Sequence, residues 1–142
     1  MAIEGDVTAE WSEEEIAVVL IGHGSKLPYG KGVLEELRRR IEMREIYNEV
    51  RIAFMQLDSP SIEETLRDLA KDGMKNIVAL PVFLADGAHT TEDIPEKLKE
   101  AFDGAWAEIG KEVKLTYGKP IGVDERIVDI LLDRVKEACG GE

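Results

Sequence analysis

The chain has 142 residues, of which 44% are hydrophobic, and its 30 acidic residues outnumber 18 basic ones to give a net charge of −12. This length and composition fit one domain with its own core, which we expect over residues 16–142. The acidic balance argues against a nucleic-acid or anionic-membrane partner, because both require a basic surface. A lone cysteine, Cys139, and the absence of a long apolar run favour a cytoplasmic protein without disulfides.

The N-terminal segment, residues 1–15, is acidic and contains no Lys or Arg. Six carboxylates lie in it: Glu4, Asp6, Glu10, Glu13, Glu14 and Glu15. We interpret it as a solvated extension outside the domain, without a catalytic role.

The first half of the domain predicts two strands, each followed by a helix. Ile16–Ile21 is a continuous aliphatic run ended by glycine, typical of a buried strand. Helical spacing of Val33, Leu34, Leu37 and Ile41 predicts a helix over 31–44. Residues 50–55 form the second strand candidate. Ser59 is the expected N-cap of the next helix, with Pro60 at its first position and the end near Gly73.

The second half repeats this alternation. A third strand is predicted over 76–83, a helix start at 90–93, a fourth strand over 112–117 and a last helix over 124–138. The predicted buried face of that last helix consists of Ile127, Ile130, Leu131, Val135 and Ala138. Residues 103–111 fit either a continuation of the third helix or a connector. Four βα units predict an α/β fold with a four-stranded parallel sheet and helices on both faces.

The only two histidines, His23 and His89, each follow a predicted strand in a glycine-containing turn. The carboxyl ends of parallel strands lie at one edge of the sheet, where such folds place their ligands. Two imidazoles that converge there can bind a transition metal or transfer a proton. Two ligands are few for a permanent structural site, which favours transient metal handling.

Other chemistries fit the first turn less well. Gly22–Ser25 is not a nucleophile elbow, and no third histidine is present to build a separate triad with Ser25. A histidine phosphatase would have Arg where Gly22 stands. The turn matches neither a dinucleotide fingerprint nor a P-loop.

Three segments together resemble the short archaeal CbiX-type sirohydrochlorin cobaltochelatases, also described as nickelochelatases. They are the Val-Val-Leu-Ile-Gly-His-Gly-Ser run at 18–25, the stretch at 81–95 with Gly-Ala-His-Thr-Thr, and Pro-Ile-Gly-Val-Asp-Glu-Arg-Ile-Val-Asp at 120–129. The resemblance covers residues 16–137. It implies a flavodoxin-like half-unit of the class II chelatases, which works as a homodimer on sirohydrochlorin.

The resemblance implies an enzyme that inserts Co²⁺ or Ni²⁺ for cobalamin or coenzyme F430 synthesis, with the metal as substrate and no permanently bound cofactor. His23 and His89 would bind the metal, and His23 would also accept pyrrole protons. Contacts to the tetrapyrrole would come from Ser59 and from one loop, composed of Leu84, Ala85, Asp86, Gly87, Ala88 and His89.

The chain departs from the family pattern at three positions. Ser59 and Gln56 stand where relatives have glutamate, so neither can neutralise metal charge or take a proton. Asp86 replaces a histidine found in some relatives. The two histidines would therefore carry more of the chemistry themselves.

Alternatives stay open at the level of sequence. A metal or tetrapyrrole carrier would use the same two histidines without turnover, and a flavin or nucleotide binder would use the same fold. The choice between Co²⁺ and Ni²⁺ is open because imidazole accepts both. Candidates to bind substrate carboxylates in this acidic protein are Lys26, Lys31, Arg38 and Arg126.

Overall fold

The computed structural model describes residues 3–4, 15–106 and 113–140, and it shows an α/β fold. The strands are β1 (Ile3–Glu4), β2 (Ile16–Gly22), β3 (Glu49–Phe54), β4 (Asn76–Pro81) and β5 (Lys114–Tyr117). The helices are α1 (Tyr29–Glu42), α2 (Ile62–Lys71), α3 (Ile94–Trp106) and α4 (Glu125–Ala138). A short π-helix, His89–Asp93, leads directly into α3.

The strands form one parallel sheet in the order β1-β5-β4-β2-β3. The four predicted strands, β2 to β5, are confirmed, and two-residue β1 lies beside β5 at one edge. Of the predicted extension, the structure describes only residues 3–4 and 15. Strands β2 and β4 are neighbours, with Ile21 paired to Pro81, so the turns that follow them begin side by side.

Two hydrophobic layers cover the sheet. Helices α2 and α3 pack on one face over buried residues that include Ile21, Leu66 and Leu98. Helix α1 packs on the other face over β2 and β3, where Leu34 is its one buried residue. Pleating explains the division, since alternate residues of each strand point to opposite faces.

The predicted buried face of α4 is wrong. No residue of α4 is buried, and Leu131 is 59% exposed. The helix itself is confirmed, with Asp124 as its N-cap accepting from the Arg126 amide. The spacing of its apolar residues correctly predicted an amphipathic helix. That spacing does not say which surface the apolar side of the helix contacts.

The predicted start of α2 is also wrong. Ser59 precedes Pro60 in the loop, and the N-cap is Ser61. Its hydroxyl accepts from the Glu64 amide at 3.1 Å, and the Glu64 carboxylate accepts from the Ser61 amide at 2.9 Å. This is a capping box, in which two otherwise unpaired amides at the helix start are satisfied reciprocally.

We expect Ser61→Ala to lower the free energy of unfolding by about 1 kcal/mol, because the Glu64 amide loses its acceptor. Urea denaturation followed by circular dichroism measures the change. Ser59→Ala is the matched control two residues earlier and should have a smaller effect. An equal loss in the two variants would contradict the assignment of the cap.

The remaining boundaries agree with the predictions to within a few residues. The third helix differs most, since its first turn at 89–93 is a π-helix in which the Ile94 amide donates to the His89 carbonyl. Of the ambiguous stretch 103–111, residues up to Trp106 belong to α3, and the rest lie outside the described residues. No helix among the described residues is long and apolar enough to cross a membrane.

Candidate functional site

The two histidine turns meet at the carboxyl edge of the sheet, after neighbouring strands. His23 follows β2. Two hydrogen bonds hold the end of β2 between its neighbours: the Met55 amide, just after β3, donates to the Gly22 carbonyl, and the Val82 amide, just after β4, donates to the Ile21 carbonyl. His89 begins the π-helix after β4. The sheet thus brings together two side chains 66 positions apart in the sequence.

The imidazole rings of His23 and His89 lie with their centroids 4.9 Å apart and their planes at 70°. The centroid of the Phe83 ring lies 6.3 Å from that of His23, in an edge-to-face arrangement. Both histidines are exposed. Since bonds from a metal to imidazole nitrogen are about 2.1 Å long, rings at this spacing can reach one cation from adjacent coordination positions.

Each imidazole has an oxygen acceptor at Nδ1. The Gly24 carbonyl lies 3.0 Å from His23 Nδ1, and Asp93 Oδ2 lies 2.9 Å from His89 Nδ1. A carbonyl or carboxylate oxygen accepts a hydrogen bond from Nδ1–H and so favours the tautomer whose Nε2 has a free lone pair. Both histidines can therefore present Nε2 as a metal ligand or as a base.

The loop between β4 and the π-helix is held in a compact shape by Thr90, a buried residue. The Thr90 hydroxyl donates to Asp86 at 3.0 Å and accepts from the Gly87 amide at 2.8 Å. Below it, the Tyr117 hydroxyl donates to the Thr90 carbonyl at 2.9 Å. Burial, and secondly the charge of Asp86, raises the pKa of Tyr117 to about 12, so the phenol remains a donor at neutral pH.

The first turn is packed tightly against the loop that follows β3. Gly24 has φ +95°, and a Cβ there would lie 1.6 Å from the Gln56 carbonyl oxygen. The Ser25 amide donates to Asp58 at 3.0 Å. These contacts fix the loop after β3 beside His23. In that loop Asp58 is partly buried, whereas Gln56 is exposed.

A cavity of about 390 Å³ adjoins His23 on the α1 side of the sheet. Its polar lining includes Ser25, Lys31 and Asp58, and its apolar wall is formed by Val33, Leu34, Leu37, Phe54 and Val82. Ser59, a predicted contact to the tetrapyrrole, is exposed next to the cavity, where its carbonyl accepts a hydrogen bond from Lys31 Nζ. The residues Leu84 to His89 are likewise exposed.

Of the four basic candidates, the structure places one in this cavity. Lys31 lines it and lies 6.0 Å from the centre of the Phe54 ring. Arg38 pairs with Glu35 and Glu42 on its own helix, and Arg126 pairs with Asp124 at 2.8 Å. Those two guanidinium groups are therefore engaged locally.

Sequence reasoning missed Asp93 and Asp58. Asp93 lies four residues after His89, a spacing that signals contact within a helix, but the turn was interpreted only as a helix start. Asp58 carried no such signal, since its place beside His23 depends on the fold. Within the described parts of the chain, no group of three or more His, Cys, Asp or Glu side chains is arranged to hold a metal ion.

The fold and the site together define a parallel α/β protein with a histidine pair at the ends of two adjacent strands. The sequence profile of the CbiX family matches residues 17–138. The chain belongs to the CbiX family, which confirms the resemblance predicted from its motifs.

Archaeal relatives match nearly end to end. A sirohydrochlorin cobaltochelatase of Methanopyrus kandleri is 35% identical over 89% of this chain and 99% of the relative. A sirohydrochlorin cobaltochelatase of Methanosarcina acetivorans is 42% identical over 88% of this chain and 98% of the relative.

Solved structures confirm the fold. The cobalt complex of the sirohydrochlorin chelatase SirB from Bacillus subtilis subspecies spizizenii matches with a TM-score of 0.75 at 29% identity, covering 86% of this chain. This chain spans only 50% of the SirB chain. A putative cobalamin biosynthesis CbiX protein from Marinobacter aquaeolei matches with a TM-score of 0.67 at 27% identity, over 88% of this chain and 98% of that one.

Proposed function

We propose that this protein is a chelatase that inserts Co²⁺ into sirohydrochlorin. The observation that carries the proposal is the pair of imidazoles 4.9 Å apart at the carboxyl edge of the sheet. Membership of the CbiX family, with relatives named sirohydrochlorin cobaltochelatase, supports the choice of substrate.

Insertion exchanges two pyrrole protons for one divalent cation, so the site must deliver a metal and accept protons. Neutral imidazole can do either near neutral pH. One nitrogen cannot bind a metal and a proton at the same time. We therefore assign Co²⁺ binding to Nε2 of His23 and His89, followed by transfer of the metal to the macrocycle and of the two pyrrole protons to the vacated nitrogens, one to His23 and one to His89.

The macrocycle would lie against the loop from Leu84 to His89, with Ser59 at the opposite side. Lys31 is the basic group placed to meet a substrate carboxylate, because it lines the cavity next to His23. The metal is a substrate in this scheme, and we propose no permanently bound cofactor.

The assay is the change in the absorption spectrum of sirohydrochlorin on addition of Co²⁺, compared with the rate without protein. Faster insertion with protein supports the proposal. Binding of metal and tetrapyrrole without acceleration would contradict it and would favour a carrier. A flavin binder would instead be yellow as purified.

Nickel is the second metal we propose, since imidazole nitrogen binds Ni²⁺ as well as Co²⁺. The same assay with Ni²⁺ measures the ratio of the two insertion rates. A cobalt preference would fit a role in cobalamin synthesis, and a nickel preference would fit coenzyme F430. We also propose that the working form is a cytoplasmic homodimer, because a single 390 Å³ cavity encloses only part of a tetrapyrrole.

Asp93 should influence metal binding through His89, which it orients. We expect Asp93→Ala to weaken Co²⁺ binding by about 10- to 100-fold, the usual effect of removing the hydrogen-bond partner of a ligand histidine. Asp93→Asn should lose less, because its amide oxygen still accepts from Nδ1. Titration of the visible absorption of bound Co²⁺ measures both affinities.

Glu92→Gln is the matched control for Asp93, since it removes a neighbouring exposed carboxylate, whereas the hydrogen bond to His89 comes from Asp93. Its Co²⁺ affinity should equal that of the wild type. Equal losses in Glu92→Gln and Asp93→Asn would show a general effect of charge and would exclude the orienting role.

A further inference from the structure

The π-helix at His89–Asp93 departs from α-helical hydrogen bonding at the turn that carries one of the two site histidines. In an α-helix the Ile94 amide would donate to the Thr90 carbonyl, four residues earlier. Here it donates to the His89 carbonyl, five residues earlier. A single π turn inside an α-helix is rare and is found mostly at functional sites. Relative to α3, the extra residue rotates His89 by about 100°, the angle of one helical position.

The π turn leaves the Thr90 carbonyl without a donor from its own helix. Its α-helical donor, the Ile94 amide, is bonded to His89. Its π-helical donor would be the amide of residue 95, which is Pro95 and has no amide hydrogen. Thr90 is only 2% exposed, and a buried carbonyl is costly unless a donor reaches it.

Tyr117 supplies this donor from the sheet. Its hydroxyl donates to the Thr90 carbonyl at 2.9 Å. Tyr117 is the last residue of β5 and packs against the core on the α3 side of the sheet, where the Ile94 side chain is fully buried. Burial raises the pKa of Tyr117 to about 12, so the hydroxyl keeps its proton at neutral pH. The fold therefore fixes a permanent donor below the π turn.

We propose that Tyr117 is a positioning residue of the site: its hydroxyl selects the π turn over an α turn and thereby aims His89 at His23. Without the hydroxyl, the Thr90 carbonyl regains a donor when the Ile94 amide leaves the His89 carbonyl, which converts the turn to the α form. Because Ile94 is anchored in the core, this change rotates the residues before it, and the two rings, now 4.9 Å apart, separate. The consequence for Co²⁺ rests on the proposed function, whereas the change in geometry does not.

The hydrogen bonds of the π turn are measurable by nuclear magnetic resonance of the full chain without metal. In the wild type, scalar coupling across the hydrogen bond should join the Ile94 nitrogen to the His89 carbonyl carbon. In Tyr117→Phe the coupling should move to the Thr90 carbonyl carbon. A coupling to Thr90 in the wild type would overturn the proposal, even if the variant failed to fold.

The distance between the imidazoles is the second measurement. The chain has two histidines, so nuclear Overhauser contacts between their ring protons can be assigned directly. The wild type should show such contacts, and Tyr117→Phe should lose them while circular dichroism shows an intact fold. Tyr47→Phe is the matched control, because it removes the hydroxyl of another partly buried tyrosine that packs on the opposite face of the sheet. It should keep the contacts.

Co²⁺ titration followed by visible absorption measures the effect on the site. Tyr117→Phe should bind Co²⁺ about 10-fold more weakly, and Tyr47→Phe should bind it like the wild type. In a His89→Ala background, Tyr117→Phe should change the remaining affinity by less than about two-fold, because the hydroxyl acts through His89. An equal loss in both backgrounds is what a merely structural role would give, and it would overturn the proposal.

Ring contacts that persist in Tyr117→Phe, or an unchanged Co²⁺ affinity, would also overturn it. The chelatase proposal fails in a different way. If the wild type did not insert metal, but Tyr117→Phe still moved the Ile94 hydrogen bond and separated the rings, the positioning role would stand and the proposed function would not.

Discussion

Replacing either His23 or His89 by alanine should reduce Co²⁺ insertion into sirohydrochlorin by about 10²- to 10⁴-fold, the usual contribution of a positioned acid–base group. Each substitution removes one of the two imidazoles whose rings lie 4.9 Å apart. The initial rate of the spectral change measures the loss. Because the two rings are expected to act as a pair, the double variant should fall little further than the single variants.

Glu92→Gln is again the control, because its side chain is exposed and lies outside the histidine pair. It should insert metal at the rate of the wild type. If both alanine variants retained full activity, the assignment of the site would be wrong. If their losses simply multiplied in the double variant, the histidines would act independently rather than on one metal.

Gly24→Ala should lower the free energy of unfolding by at least about 2 kcal/mol and remove metal insertion as well. A Cβ at φ +95° is strained, and it would also lie 1.6 Å from the Gln56 carbonyl oxygen. The turn that carries His23 must then separate from the loop after β3. Thermal or urea denaturation measures the stability, and the spectral assay measures the function.

Gly104→Ala is the matched control in helix α3, where a Cβ would meet nothing within 4 Å. Alanine is the better helix former, so this variant should be about 0.5–1 kcal/mol more stable than the wild type and equally active. Unchanged stability in Gly24→Ala would show that the turn can open without cost and would contradict the close approach seen here.

Much of the fold could be predicted from local patterns. The run Ile16–Ile21 is continuous and aliphatic because its strand is buried on both faces, and Pro81 lies where β4 ends. The placement of His23 and His89 at one edge followed from the parallel topology alone. Their distance did not, because it depends on β2 and β4 being neighbours in the sheet, which local patterns do not reveal.

Other features depended on a choice between similar local alternatives, such as two possible N-cap residues, that the sequence pattern does not decide. Ser59 and Ser61 are both good N-caps, and the capping box with Glu64 decides in favour of Ser61. The first turn of the third helix is a π-helix, whereas the pattern predicted an ordinary helix start. At the start of α2, contacts between side chains and backbone amides chose between similar alternatives.

The sequence by itself determined the family, the parallel α/β class, the order of the elements and the two histidines, because these follow from hydrophobic periodicity and short motifs. Only the tertiary structure decided how the elements are used. It brought Asp58 and Lys31 to the cavity beside His23, and it left no residue of α4 buried. The physical reason is that periodicity records which side of an element is apolar, whereas the surface that covers it is set by contacts distant in sequence.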